Sequence, residues 1–278
     1  MRQAENLTDA FIDRLLSVKD RISSTDLHQA RLCLLDFSGT ALAGQRMCAE
    51  KLRGYKGFWD DSNTCVSARP SPDNPALTAF LLSYAAHSTE MDDGERIGMV
   101  HPGTVVIPAI LALTQIRKLS DLDLLTGIIV GYEATIALAR GMQPALKKKG
   151  FHATGVCGCI GAAMACAVAM YYTRDQMMIA LSAAATSASG LLELITGDSE
   201  LKAFNAANAS SSALFAVATG LTNAKYPDDV LGGGRGLIQN FCSDTNSISA
   251  ISETTDQLLI HSIYRKPYAA CRHCHPAI

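Results

Sequence analysis

Charge is scarce in this sequence. Charged residues make up 18% of its 278 positions against 48% apolar, and the formal net charge is -2. The one basic run, Lys147-Lys148-Lys149, is short and meets Gly150 at once. Without a basic face, nucleic acid is excluded as a partner. The N-terminal residues lack an apolar stretch before polar residues intervene, so no secretory signal is read. The nine cysteines are odd in number, scattered, and mostly set in apolar stretches such as Leu32-Cys33-Leu34. They read as reduced, buried thiols, and a cytoplasmic location is expected. Strand signals are also sparse: there is no two-residue hairpin, and a single candidate strand spans Leu258 to Tyr264. Internal repeats are absent. The glycine-rich stretch Gly232–Gly236 follows no strand and carries no P-loop lysine, which excludes a phosphate cradle.

What is present is helical periodicity. Leu7, Phe11, Ile12, Leu15 and Leu16 recur at helical spacing, and Ser24 or Thr25 can cap a second helix that Gly44 would stop. Asn74-Pro75 opens a helix through about His87, and Ser120 caps one running from Asp121 toward Gly141. Two long stretches follow over 155–172 and 175–195, rich in small residues that let helices approach closely, and a nearly uncharged helix spans 203–220. The segment Ala153 to Thr173 carries no charge and has about the length of a membrane span. Its Gly, Ala and Cys content, with Gly155, Gly158 and Gly161 in the first two turns, fits a centrally buried helix better, so no membrane partner is expected. The expected fold is all-α to about residue 255, with residues 256–278 the start of something else.

Four clusters carry polar chemistry. The first runs from His87 through Glu90, Asp92 and Asp93 to His101-Pro102-Gly103; carboxylates beside imidazoles suit general acid/base work, though a polar helix end and solvated loop would look the same. In the second, His152 stands at the mouth of the glycine-rich helix, where the dipole disfavours its cation; it is either a neutral base or a simple cap. In the third, Lys202 precedes the uncharged helix and either pairs with a substrate carboxylate or is an ordinary surface lysine. The fourth is Cys271-Arg272-His273-Cys274-His275, a C-x-x-C-H pattern. Haem attachment would need export, and a closed zinc site would need a second ligand pair that Cys33, Cys48 and Cys65 do not offer, so neither metal nor cofactor is expected.

Taken in order, these segments resemble the MmgE/PrpD family. The resemblance rests on His87-x-x-Glu90-x-Asp92-Asp93, His101-Pro102-Gly103, Pro108-Ala109, Gly131-Tyr132-Glu133, Gly150-Phe151-His152-x-Thr154-Gly155 and Cys271-x-x-x-His275. It implies the family's helical N-terminal domain over 1–255 and, over 256–278, a hinge and the truncated start of an α+β lid domain. It also implies a cofactor-independent lyase (dehydratase or decarboxylase) acting next to a carboxylate on a small di- or tricarboxylic acid, and a homodimer built through the helical domain. An epimerase of the same family and a truncated, non-catalytic dimerisation module are the alternatives. By resemblance the site combines His152 as principal acid/base, Lys202 and His101 as carboxylate binders, Glu90, Asp92 and Asp93 as orienting acids, and His275 acting from the hinge. Gly94 stands where the decarboxylase-like pattern has threonine, and the loop from there to His101 is one residue longer.

Overall fold

Helix formation begins where the capping chemistry places it. In the computed structural model, which describes residues 6–59, 74–242 and 248–278, α1 (Leu7–Asp20) starts with the Asn6 side chain accepting from the Asp9 N–H. Residues 1–5 and Cys65 lie outside the described residues. Helix α2 (Ser24–Met47) is capped one residue earlier than expected: Ser23 and Asp26 form a reciprocal capping box. It also runs straight through Gly44. That glycine is a packing device and not a stop, since a Cβ there would lie 1.9 Å from the Ala85 carbonyl oxygen. After α3 (Ala49–Trp59), α4 (Pro75–Ser88) opens as expected, with Asn74 accepting from the Leu77 N–H and Pro75 at the first turn.

A two-residue strand, β1 (Gly94–Glu95), precedes α5 (Gly103–Leu113) and α6 (Asp121–Met142), the latter capped by Ser120 as the sequence predicts, with Asp123 completing a reciprocal capping box. The short α7 (Ala145–Lys148) leads to α8 (Ala153–Ala169), in which every residue is buried. Then come α9 (Arg174–Ser187), which ends eight residues before the expected limit, and α10 (Lys202–Thr219). Two short helices, α11 (Leu237–Phe241) and α12 (Ile248–Ser252), close the bundle. The expected strand over 258–264 is mostly a 3-10 turn, Leu259–Ser262; only β2 (Ile263–Tyr264) is extended. It pairs antiparallel with β1, Gly94 opposite Tyr264 and Glu95 opposite Ile263. The turn forms because Leu258, Leu259 and Ile260 drop into the helical core instead of continuing a sheet. The regular structure among the described residues is thus almost wholly helical, as expected.

Helix α8 is the axis of this core, with α5, α6, α9 and α10 packed around it. Its crossing with α6 is made by small residues: a Cβ at Gly161 would meet the Thr135 hydroxyl at 1.8 Å and the Gly131 carbonyl at 2.7 Å. Helix α6 is long and apolar enough to cross a membrane, but 78% of that stretch is buried inside the protein, as befits a core helix. Gly161→Ala is therefore expected to destabilise the fold by about 1–3 kcal/mol through overpacking. Gly39→Ala, on the exposed side of α2 with nothing within 4 Å, should instead stabilise by about 0.5–1 kcal/mol. Denaturant titration of the two variants checks both, and equal effects would contradict the close-crossing argument.

Six of the described cysteines (33, 48, 157, 159, 166 and 242) are buried, while Cys271 and Cys274 are exposed. Burial pushes the thiols of Cys33, Cys159 and Cys166 up to about 12, which keeps them protonated and inert.

Candidate active site

The site is built on one buried carboxylate. Asp92 is 2% exposed and lies in the loop after α4. Its Oδ2 accepts from His87 Nδ1 at 2.7 Å and lies 3.2 Å from His101 Nδ1, while Lys266 Nζ stands 3.4 Å from Oδ1. Burial opposes its ionisation, but His101, His87 and Lys266 outweigh that and hold it well below the usual carboxylate range. An anion therefore sits inside the core, surrounded by three donors.

His101 precedes α5, and its ring leans on this anion. Besides Asp92, its Nδ1 meets the Asp93 carbonyl oxygen at 2.5 Å. Both neighbours accept only, so Nδ1 carries the hydrogen and Nε2 keeps a lone pair. Burial lowers His101 most, Asp92 pulls the other way, and His87, Lys202 and Lys266 add to the lowering, leaving it at about 4. It is a neutral imidazole at neutral pH with a free basic nitrogen.

His152 has the opposite tautomer. It precedes α8, where its backbone N–H donates to Gly190 and the neighbouring Phe151 bridges to Leu191. Its Nδ1 faces Asn205 Nδ2 at 3.4 Å, and that amide nitrogen also points at the Leu191 carbonyl at 3.1 Å, which fixes the amide's orientation. Nδ1 is then the acceptor, leaving the hydrogen on Nε2. Burial, reinforced by His87, His101 and Lys202, pushes its pKa well below the ordinary value. The two imidazoles therefore present one acceptor and one donor.

Lys202 opens α10 and donates to Glu90 Oε1 at 2.5 Å. Glu90 holds a left-handed backbone, φ +55°, a conformation that costs about 1–3 kcal/mol for a non-glycine residue. Lys266 Nζ clamps that turn by donating to the Glu90 carbonyl at 2.9 Å.

A cavity of about 270 Å³ opens among these groups. Glu90, His101, His152 and Lys202 line it, so four of the expected residues converge there. Asp92 stands behind His101. Asp93 faces away: Tyr132 donates to its Oδ2 at 2.7 Å and the Gly103 N–H to its Oδ1 at 3.1 Å. Burial pushes Asp93 up to about 7, Asp36 and Asp92 adding to the rise while the Tyr132 hydrogen bond opposes it. His275 does not line the cavity. Its Nε2 donates to the Ala270 carbonyl at 3.1 Å and its ring meets Tyr268, while Cys271, Arg272 and His273 reach the wall instead.

Sequence reasoning missed Lys266, Arg96, Arg272 and Tyr264. Arg272 rests over the Tyr264 ring at 5.4 Å. Tyr264 explains Gly94 in turn, because a Cβ at Gly94 would lie 2.3 Å from the tyrosine oxygen across the β1–β2 pair. The one signal for Lys266 was a lysine two residues beyond an apolar segment, which any surface turn also shows. The lining carries Arg96, Lys147, Lys202, Lys266 and Arg272 against Glu90 and Glu95, a net positive balance that favours an anionic occupant. Glu95 is moreover engaged by Arg140 at 2.9 Å.

The family model described as MmgE/PrpD N-terminal domain matches residues 18–248. Over 181 residues the chain is 27% identical to cis-aconitate decarboxylase of Aspergillus terreus, covering 62% of this chain and 37% of the relative. It is 28% identical over 192 residues to cis-aconitate decarboxylase of Mus musculus, covering 64% and 39% respectively. The matched stretch thus spans well under half the length of these curated relatives.

Proposed function

The chain belongs to the MmgE/PrpD family, and on that premise we propose that it supplies the acid/base wall of a lyase acting next to a carboxylate on a small di- or tricarboxylic acid. One observation carries this reading. Two neutral imidazoles, an acceptor at His101 Nε2 and a donor at His152 Nε2, share a small cationic cavity with Lys202.

Moving a proton at a carbon α to a carboxylate places negative charge on that carboxylate. Lys202 stands at the wall to stabilise it, and Lys266, held on Asp92 and the Glu90 carbonyl, adds positive charge behind. In a dehydration, His101 removes the α-proton and His152 protonates the departing hydroxyl. In a decarboxylation, the carbon–carbon bond breaks, the electron pair stays on the α-carbon as CO2 leaves, and His152 delivers the proton. The curated relatives, named as cis-aconitate decarboxylases, favour the second. In the dehydration, the imidazolium formed at His101 is held by Asp92, which needs no protonation of its own. In this reading the protein is cytoplasmic and works as a homodimer through its helical body.

A panel of di- and tricarboxylates, presented to the protein that carries this chain, tests the proposal. On the substrate found, His152→Ala is expected to lower kcat/KM by about 10²–10⁴-fold, the usual loss for a general acid/base group. Wild-type turnover in that variant overturns the assignment.

A further inference from the structure

We propose that His87 is a positioning residue for His101, setting its proton affinity through the single oxygen of Asp92 that both rings approach. The inference rests on the acid/base reading of His101, but its evidence lies in the core of the helical bundle. His87 ends α4, its side chain is fully buried, and it does not line the cavity. Its ring nevertheless sits between the two histidines that do: centroids lie 5.3 Å from His101 and 5.8 Å from His152, the latter nearly parallel at 21°. A buried imidazole so placed, touching no cavity space, acts through what it holds.

What it holds is Asp92 Oδ2, at 2.7 Å through Nδ1. The opposite nitrogen, Nε2, is buried with no hydrogen-bond partner among the described residues. An unpartnered lone pair is tolerated far better than an unpartnered N–H⁺ in such a place. His87 is therefore assigned as an Nδ1–H donor with Nε2 bare, and Lys266 Nζ stands 3.4 Å from the other oxygen of Asp92. Asp92 Oδ2 then hydrogen-bonds His87 and only stands 3.2 Å from His101 Nδ1, whose hydrogen is directed to the Asp93 carbonyl at 2.5 Å. That asymmetry leaves His101 weakly coupled to the anion at rest, hence neutral and able to accept a proton. Once His101 is protonated, the same oxygen can strengthen its hold on the new cation. His87 thus keeps in reserve an interaction that grows only as the reaction proceeds. The near-parallel contact gives His152 a flat floor as well.

The charged and titratable groups around His101 are Asp92, Asp93 and Glu90 from the loop after α4, His87 from α4, His152 before α8, Lys202 from α10 and Lys266 beyond β2. His87 is the one whose donor can be removed while a ring of similar size stays. The test is long-range ¹H–¹⁵N NMR of the histidine rings across a pH titration of the protein carrying this chain. In the wild type, both His87 and His101 are expected to carry the hydrogen on Nδ1; an Nε2–H at either overturns the proposal without any variant. His87→Phe removes the donor, and the His101 midpoint should then rise by about one pH unit as Asp92 turns fully to it. His87→Asn restores a donor at the Nδ1 position and should leave the midpoint within about 0.3 units of wild type. An unmoved midpoint in His87→Phe, or equal movement in both variants, overturns the inference. If the phenylalanine variant does not fold, His87→Leu takes its place. These readouts need no turnover, so an inactive wild type with the expected tautomers would count against the proposed lyase and not against this role.

Discussion

Replacing Arg14 with methionine is expected to lower the unfolding free energy by about 3–5 kcal/mol, the usual loss when one partner of a buried ion pair is removed. Arg14 is 2% exposed on α1, and its Nη2 and Nε both donate to Glu133 Oε1, at 2.7 and 3.2 Å. Its Nη1 reaches the carbonyls of Ala250 and Ile251, at 2.8 and 3.3 Å. Glu133, wholly buried on α6, uses its other oxygen to accept from the Leu259 N–H at 2.8 Å. The pair thus fastens α1, α6 and the segment that carries β2 and Lys266 toward the cavity. Methionine fills the volume but leaves a buried carboxylate alone and two carbonyls unpaired. Adding Glu133→Leu removes the lone charge and should recover part of the loss, not all, because the Leu259 N–H then has no acceptor. Denaturant unfolding gives the energies, and hydrogen exchange at Leu259 reports the local release. A loss below about 1 kcal/mol in Arg14→Met would show that the pair holds nothing together.

That fastening was only half legible in the sequence. Gly131-Tyr132-Glu133 stood out as a pattern, yet nothing local says that Glu133 faces an arginine 119 positions earlier. The helices were readable because their signals are local: Asn74-Pro75 and the Ser120–Asp123 box each act within one turn. Gly44 was misread because a glycine that ends a helix and one that admits a neighbouring backbone look identical until the neighbour is known. The apolar run 258–264 was misread for the same reason, since short buried 3-10 turns and buried strands share a composition. At the site, His101, His152, Lys202 and Glu90 line one cavity, although they are spread over more than a hundred positions. The paired aspartates were legible as residues but not as roles. Adjacent carboxylates on an irregular loop point to different sides, so Asp92 meets the histidines while Asp93 turns toward Tyr132. Lys266 escaped notice because its partners lie 174 and 176 positions away.

The second large effect follows from that division and concerns pH. Asp93 is 3% exposed and is pushed up to about 7, burial first and Asp36 and Asp92 next, so the folded protein prefers it protonated. A folded-state pKa raised above the unfolded value near 3.8 contributes stability that is whole below that value and lost as pH rises through about 7. His101 behaves oppositely: lowered to about 4, it contributes stability that is whole above about 6.5 and lost as pH falls through about 4. Between pH 4 and 7 the two slopes oppose each other, and the wild-type curve alone hides both. The difference between wild type and Asp93→Asn isolates the first. Asparagine keeps an acceptor for the Gly103 N–H and offers its amide hydrogens to the Tyr132 hydroxyl, so the packing survives without the titration. Asp93→Asn is expected to be equal to or less stable than wild type at pH 4 and to gain on it by about 2–4 kcal/mol by pH 7.5, a ceiling set by roughly three pH units at about 1.4 kcal/mol each. Urea titrations at half-unit pH intervals measure that difference. A gap between the two proteins that stays constant from pH 4 to 7.5 would mean that Asp93 is ionised throughout, with the buried cluster carrying a second anion. In that case Tyr132 and the Gly103 N–H would be stabilising a carboxylate, and Asp93 would join Asp92 as a counter-charge for the histidines.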